Sequence, residues 1–262
     1  MKITCPSSNN DYYRKFTFPA GELHIVLGEN ILTDFIEFID IEFNFFSNED
    51  IFELLLLVHT LQNNNLELYD LIIPYMPFGQ ADRVNEKGEC FSLKVFCDLI
   101  NNVIKPVRVI VCDPHSDVTP ALLNNCVVIP QWDVVYNIIT ENNLFESGNT
   151  ILISPDAGAA KKIYKLALKF DNVGVVECSK VRDTSNGKIL KTEVHTSDFC
   201  GSTCIIVDDI CVGGRTFIEI AKILRTRNAG KIILCTTNGV YSQGLEVFSD
   251  IDEIYNRKGK VK

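Results

Sequence analysis

The chain has 262 residues, 46% apolar and 23% charged, which is the composition of a globular protein rather than a disordered one. Its formal net charge of −9 argues against a general binder of nucleic acid or of anionic membranes. At roughly 100–200 residues per domain, the length suits one large domain or two small ones.

Taken in chain order, residues 49–61 have helical spacing of apolar positions, 69–74 form a short β-branched run, and 92–101 are helical again. A strand over 107–112 and a helix over 131–140 follow. A polar, turn-rich stretch at 140–149 then sets the expected boundary between domains 1–145 and 146–262. Beyond it come a strand (150–154), a helix (158–170), strands at 173–176 and 203–207, a helix over 216–227 closing at Gly230, and a strand at 231–236. Strands alternating with helices of 10–15 residues predict an α/β fold of parallel sheets flanked by helices. The near-continuous apolar strands fit burial on both faces. No apolar run is long enough to span a membrane, and the first residues carry no apolar leader, so neither a transmembrane helix nor a secretory signal is expected. The ten cysteines include no Cys-x-x-Cys pair, and several (Cys112, Cys204, Cys235) sit in apolar runs. This pattern predicts free thiols in a reducing, cytoplasmic compartment rather than a disulfide or zinc framework.

Three strand ends carry the chemistry. Residues 204–217 read as an apolar strand, the acid pair Asp208-Asp209, a turn with Gly213 and Gly214, and a helix. Such a turn offers backbone N–H groups to an anion, and paired carboxylates can accept hydrogen bonds from two neighbouring sugar hydroxyls. An ordinary strand-turn-helix with solvated acids has the same pattern. Residues 150–161 repeat the layout with Ser154-Pro-Asp-Ala-Gly158. There Ala157 to Ala160 would let a phosphate approach the backbone and Asp156 could hold a divalent cation; a simple Pro-Asp turn is the alternative. Asp113-Pro-His115-Ser-Asp117, after the strand at 107–112, is either a metal-binding triple or a hydrogen-bonded histidine.

Taken together, these segments resemble the ribose-phosphate diphosphokinase (PRPP synthetase) family. Asp208-Asp209 and its Gly-rich loop are similar to the PRPP loop of type I phosphoribosyltransferases. Ser154-Pro-Asp-Ala-Gly158 resembles the family's diphosphate-side motif, and Asp113-Pro-His115-Ser-Asp117 its Asp-Leu-His-Ala-Asp/Glu metal motif. Asn48 to Glu53 resembles its first-domain helix, Tyr75 to Lys94 its Tyr-x-x-Tyr-Ala-Arg-Gln-Asp-Arg segment followed by Ser-x-Lys, and Phe18-Pro-Ala-Gly-Glu22 its Phe-x-Asp-Gly-Glu hairpin. The resemblance runs in order over nearly the whole chain. It implies two tandem phosphoribosyltransferase-like domains, the first on the nucleotide side and the second holding the ribose and diphosphate. It also implies transfer of the β,γ-diphosphate of ATP to the anomeric hydroxyl of a ribose, with Mg²⁺ and release of AMP. By position, His115 and Asp156 would hold magnesium. Lys180 and Arg182 match the Lys-x-Arg of the mobile catalytic loop. Asp156, Ala157, Gly158, Asp208, Asp209, Gly213, Gly214, Arg215 and Thr216 fall on the ribose and diphosphate, and Glu22, Gln80, Asp82 and Arg83 on ATP. The family's ATP site is built across a subunit contact, so a homo-oligomer acting on small molecules is implied, without nucleic acid or membrane.

The departures bear on the acceptor. The family's Asp-Asp-x-x-Asp-Thr-Gly/Ala-Gly-Thr loop reads here with Val212 for the third acid, Gly213 for the threonine and Arg215 for a glycine. An arginine fork suits a diphosphate, which points to a 5′-extended ribose such as ADP-ribose ahead of ribose 5-phosphate, with a product that could feed NAD rebuilding. Gly79-Gln80-Ala81 replaces the family's Ala-Arg-Gln, and Ala20 its hairpin aspartate, which bears on the ATP contacts. An ordinary PRPP synthetase, a PRPP-consuming phosphoribosyltransferase and a non-catalytic regulatory relative are the competing readings.

Overall fold

A computed structural model describes residues 2–6, 12–33, 38–182 and 189–262. The chain divides into two compact units, Met1–Ile129 and Pro130–Lys262.

The first unit holds a five-stranded, wholly parallel sheet. Its strands are β1 (Lys2–Cys5), β4 (Phe38–Phe43), β5 (Glu67–Ile73), β6 (Arg108–Cys112) and β7 (Cys126–Ile129), lying side by side in the order β1-β4-β5-β6-β7. A separate antiparallel hairpin joins β2 (Tyr13–Thr17) to β3 (Leu23–Leu27). The helices are α1 (Glu29–Thr33), α2 (Asn48–Asn63), α3 (Ser92–Leu99), which continues as a π-helical turn over Ile100–Ile104, and α4 (Val118–Leu122). Helix α2 begins where it does because the Asp50 carboxylate accepts the backbone N–H of Phe46 (2.7 Å) and of Ser47 (2.6 Å), satisfying donors the helix start leaves open. Its Leu54, Leu57, Val58 and Leu61 then form one buried stripe in the same core as Ile41, Leu71 and Val109 of the sheet.

The second unit comprises α5 (Gln131–Glu141), β8 (Thr150–Ser154), α6 (Ala157–Ala167), β9 (Gly174–Arg182), β10 (Ile189–Val194), β11 (Thr203–Cys211), α7 (Arg215–Thr226), β12 (Ile232–Gly239), β13 (Glu253–Asn256) and β14 (Gly259–Lys260). Its seven-stranded sheet runs β10-β9-β8-β11-β12-β13-β14, parallel through the centre and antiparallel at the two edge pairs. Residues of β11 alternate between its two faces: Cys204 and Ile206 pack with Phe217, Ile220 and Leu224 of α7, while Ile205 and Val207 pack with Val135 and Ile139 of α5 and Ile163 of α6. The fold is therefore α/β, with mostly parallel sheets flanked by helices.

Three expectations are adjusted. The boundary drawn at 145/146 falls inside the second unit, because Val135, Ile138 and Ile139 of α5 belong to that unit's core. Strand β11 does not end before the acid pair: its pairing with β12 continues through Asp208↔Thr236 to Cys211↔Gly239, so both acids lie within the strand. Helix α7 closes without Gly230. The left-handed residue after it is Asn228, and Gly230 is small because a Cβ there would lie 2.1 Å from the Gly201 carbonyl oxygen.

Candidate active site

In the first unit two sequence-distant segments meet at the C-terminal ends of β5 and β6. Arg83 donates from Nε (2.7 Å) and a terminal nitrogen (3.0 Å) to the two carboxylate oxygens of Asp82. The Ser116 hydroxyl, 34 residues away in sequence, donates to Asp82 Oδ2 at 2.6 Å. Asp82 is only 5% exposed, yet its carboxyl is held down at about 2: the Arg83 hydrogen bonds outweigh the opposing effect of burial, and the Ser116 bond and the nearby charges of Arg83 and His115 add to them. Asp82 thus presents no open face to a ligand; it fixes Arg83, whose side chain is exposed, and Ser116. His115 is exposed beside Gly79, where an added Cβ would sit 3.6 Å from His115 Cβ. Gln80 is also exposed on this loop. Glu22 lies on another element, exposed at the turn between β2 and β3, with its carbonyl accepting the Phe18 N–H at 2.8 Å.

In the second unit β11 runs past the C-terminal end of its parallel neighbour β8, which brings Asp208 of β11 near Asp156 in the turn after β8. Asp156 is the N-cap of α6, and its Oδ1 accepts from the backbone N–H of Gly158 (3.0 Å) and Ala159 (3.2 Å). Those two amides, expected to face a phosphate, are thereby already engaged. Buried Ser154 donates from its hydroxyl to the Asp156 carbonyl at 2.8 Å and ties the turn to the strand. Asp208 Oδ1 accepts the Asp209 N–H at 2.9 Å. Burial, then the negative charges of Asp209 and Asp156, pushes the Asp208 carboxyl well above the usual carboxylate range. Such crowding of acids is what an incoming cation or a set of hydroxyl donors would relieve.

The loop after β11 turns at Gly214, which caps α7 with φ 76°, in the left-handed region. A Cβ there would lie 2.2 Å from Cζ of buried Phe248, so only glycine fits this close approach. Arg215 points outward, its side chain 86% exposed, and its Nε bonds Glu219 Oε1 at 3.0 Å one turn along α7. Thr216 is half-buried on the same helix. The backbones of Lys180 and Arg182 lie in β9, paired with Thr192 and Ile189 of β10, rather than in a loop. Their side chains, and residues 183–188, lie outside the described residues. Among the described residues no group of three or more His, Cys, Asp or Glu forms a ready metal cage, and no helix is long and apolar enough to cross a membrane.

Two contributors to these sites had no sequence signal of their own. Ser116 lies between His115 and Asp117, whose ligating side chains carry that motif's signal, and the stretch 240–248, which carries Tyr241, Gln243 and Phe248, is an irregular loop with no periodicity.

A family model described as a phosphoribosyl transferase domain matches residues 134–254. The ribose-phosphate pyrophosphokinase of Aquifex aeolicus is 30% identical over 233 residues, covering 86% of this chain and 71% of the relative. That of Mycoplasmopsis pulmonis is 27% identical, covering 79% of this chain and 63% of the relative. The crystal structure of phosphoribosylpyrophosphate synthetase from Mycobacterium smegmatis superposes with a TM-score of 0.71 at 21% identity, covering 87% of this chain and 72% of that one.

Proposed function

The chain belongs to the ribose-phosphate pyrophosphokinase family, whose members are diphosphotransferases, and we propose that it moves the β,γ-diphosphate of ATP to the anomeric hydroxyl of a 5-substituted ribose. In this reaction the anomeric oxygen attacks the β-phosphorus, the bond from that phosphorus to the α-phosphate oxygen breaks, AMP leaves, and the hydroxyl proton passes to solvent. The observation that carries the reading is the nearness of Asp156 and Asp208, with Asp209 beside it, where β11 runs past the C-terminal end of its parallel neighbour β8, since ligands of open α/β sheets bind outside the carboxyl ends of strands.

Roles follow from the residues' chemistry. Asp208 and Asp209 accept hydrogen bonds from the ribose hydroxyls. The loop Gly213-Gly214-Arg215-Thr216 and the turn Asp156-Ala157-Gly158 border the 5′ end and the diphosphate. Lys180 and Arg182 supply cationic donors that stabilise charge on the migrating diphosphate, the main requirement of phosphoryl-type transfer. In the first unit Arg83, with its guanidinium fixed by Asp82, faces the nucleotide together with Gln80 and Glu22. Homo-oligomeric assembly completes the nucleotide side.

The residues present fit magnesium. Mg²⁺ is usually held through one or two carboxylates plus substrate phosphates rather than by an all-protein cage, and repulsion between Asp156 and Asp208 favours a divalent cation. Asp156 would take part in holding the ion in the second unit, where it would neutralise charge on the phosphates, and His115 is a separate candidate ligand in the first unit. Val212, Gly213 and Arg215 support ADP-ribose ahead of ribose 5-phosphate as acceptor, since the first two remove an acid and a hydroxyl from the 5′ loop and the exposed Arg215 sets a cation at its outer edge, where a longer 5′ group would extend.

The test is AMP release from ATP and Mg²⁺ with each acceptor offered separately, read with mass spectrometry of the product. A product heavier than ADP-ribose by one diphosphate is expected. Activity with ribose 5-phosphate alone would keep the chemistry and overturn the acceptor assignment. Silence with both acceptors would overturn the proposal and favour a non-catalytic relative.

A further inference from the structure

We infer that Gln243, on the loop after β12, is a specificity-determining residue that donates hydrogen bonds to the acceptor's 5′ phosphoryl end beside Gly213. The inference rests on the placement of that end at Val212 to Arg215 made above.

Ahead of Thr216 the 5′ loop offers few side-chain donors. Val212 is apolar and Gly213 has no side chain. The Arg215 guanidinium stands outward and is bonded to Glu219, which also accepts from the Thr192 hydroxyl at 3.2 Å. A phosphoryl group needs N–H or O–H donors, and backbone amides alone leave much of its surface unmet.

The loop after β12 supplies the missing side. It is fastened along the 5′ loop: the Val240 and Tyr241 N–H groups both reach the Cys211 carbonyl (2.8 and 3.3 Å), and the Ser242 N–H donates to the Val212 carbonyl at 2.9 Å. The Ser242 hydroxyl lies 3.3 Å from that same oxygen. Tyr241 takes a left-handed backbone (φ 51°) to make this turn, and its ring lies edge-on to the Phe248 ring that fills the space under Gly214. Gly214 thus lets the two loops close on each other against Phe248, and Gly239 lets the ring of Tyr241 fold back on the end of β12.

The side chains met next to Gly213 are those of Gln243 and Ser242. A Cβ placed on Gly213 would lie 3.8 Å from Gln243 Cγ and 3.9 Å from Ser242 Oγ. The serine hydroxyl is directed at the Val212 carbonyl, which leaves the glutamine amide, with two N–H donors, as the group able to turn toward a phosphoryl oxygen over the open face of Gly213. Gln243 is exposed, so its replacement leaves the packing of Tyr241 and Phe248 intact.

Full-length Gln243→Ala and Gln243→Glu proteins test this by steady-state AMP release with the acceptor the parent protein uses. The alanine variant is expected to raise KM for the acceptor about tenfold, the loss of a hydrogen bond to a charged group. The glutamate variant should raise it further by setting a carboxylate against the phosphoryl anion. KM for ATP should stay within twofold in both, and so should KM for a ribose lacking the 5′ phosphate. Acceptor KM unchanged in both variants, or equal rises for acceptor and ATP, would overturn the inference. If the parent protein releases no AMP, the proposed reaction fails on its own account, and calorimetric binding of ribose 5-phosphate and ADP-ribose to the same proteins decides the inference. Weaker binding by Gln243→Glu supports it; equal binding, or no binding by the parent, overturns it.

Discussion

Gly213 and Gly214 are neighbours in sequence, yet the structure gives alanine at the two positions opposite consequences. At Gly214 the backbone is left-handed (φ 76°), which costs an L-residue about 1–2 kcal/mol. The new Cβ would also meet Phe248 Cζ at 2.2 Å and Cε1 at 2.3 Å. Phe248 is 1% exposed and cannot swing into solvent, so relief needs a shift of packed groups, adding about 1–3 kcal/mol. Gly214→Ala should therefore destabilise the second unit by about 2–4 kcal/mol, a fall in melting temperature of roughly 10 °C. At Gly213 the backbone lies outside the left-handed region and the new Cβ makes ordinary contacts at 3.8 and 3.9 Å, so Gly213→Ala should change stability by less than about 0.5 kcal/mol. Thermal unfolding of the two variants beside the parent, followed by calorimetry at one scan rate, reads the difference. Equal shifts, or a fall of under about 2 °C for Gly214→Ala, would refute the claim that Phe248 closes the space under the loop.

Asp82→Asn should cost about 1–2 kcal/mol near pH 6, discounted for the exposure of Arg83, and the difference should vanish as pH falls. The sign follows from the lowered carboxyl: the Asp82 contribution is full above its ordinary 3.8 and is lost as pH drops toward about 2, so urea titrations that show a pH-independent cost would count against it. Asp208→Asn should raise the melting temperature of the ligand-free protein by a few degrees at pH 7, because it removes a half-buried carboxyl whose ionised form is disfavoured by burial and by Asp209 and Asp156, while AMP release falls at least about 100-fold; a lower melting temperature would contradict the electrostatics. Lys180→Ala should lower turnover by about 100-fold or more with the melting temperature unchanged, and unaltered turnover would remove Lys180 from the catalytic assignment.

The sequence alone determined the central architecture. Strands β6, β8, β11 and β12 are legible because each carries an unbroken run of β-branched and apolar residues, a local signal that burial on both faces demands, and β5 because Leu71-Ile72-Ile73 closes an alternating segment. Helices α2, α3, α5, α6 and α7 are legible because their buried positions repeat at helical spacing, as Phe217, Ile220, Ala221 and Leu224 do. The strand-end motifs marked Asp156, Asp208 and Asp209, and the family resemblance added the rest of the candidate site. Strands β1 and β4 escaped because they are short and half-polar and β7 because it has only four residues, so their identity as strands comes from the partner beside them, as when Ile3 and Ile41 pair in parallel; the hairpin β2–β3 was marked only by the resemblance of its turn, Phe18 to Glu22. The boundary was misplaced for a related reason: a polar stretch looks like a linker, but only packing assigns α5 to the unit whose core it fills. Tertiary structure alone decided the pairings across long sequence separations: Ser116 on Asp82, Phe248 under Gly214, Gln243 beside Gly213 and Asp156 near Asp208. Hydrophobic periodicity and turn chemistry act within a few residues and can be read along a line. A hydrogen bond or a ring in van der Waals contact is fixed by the three-dimensional path of the chain, which no local pattern encodes.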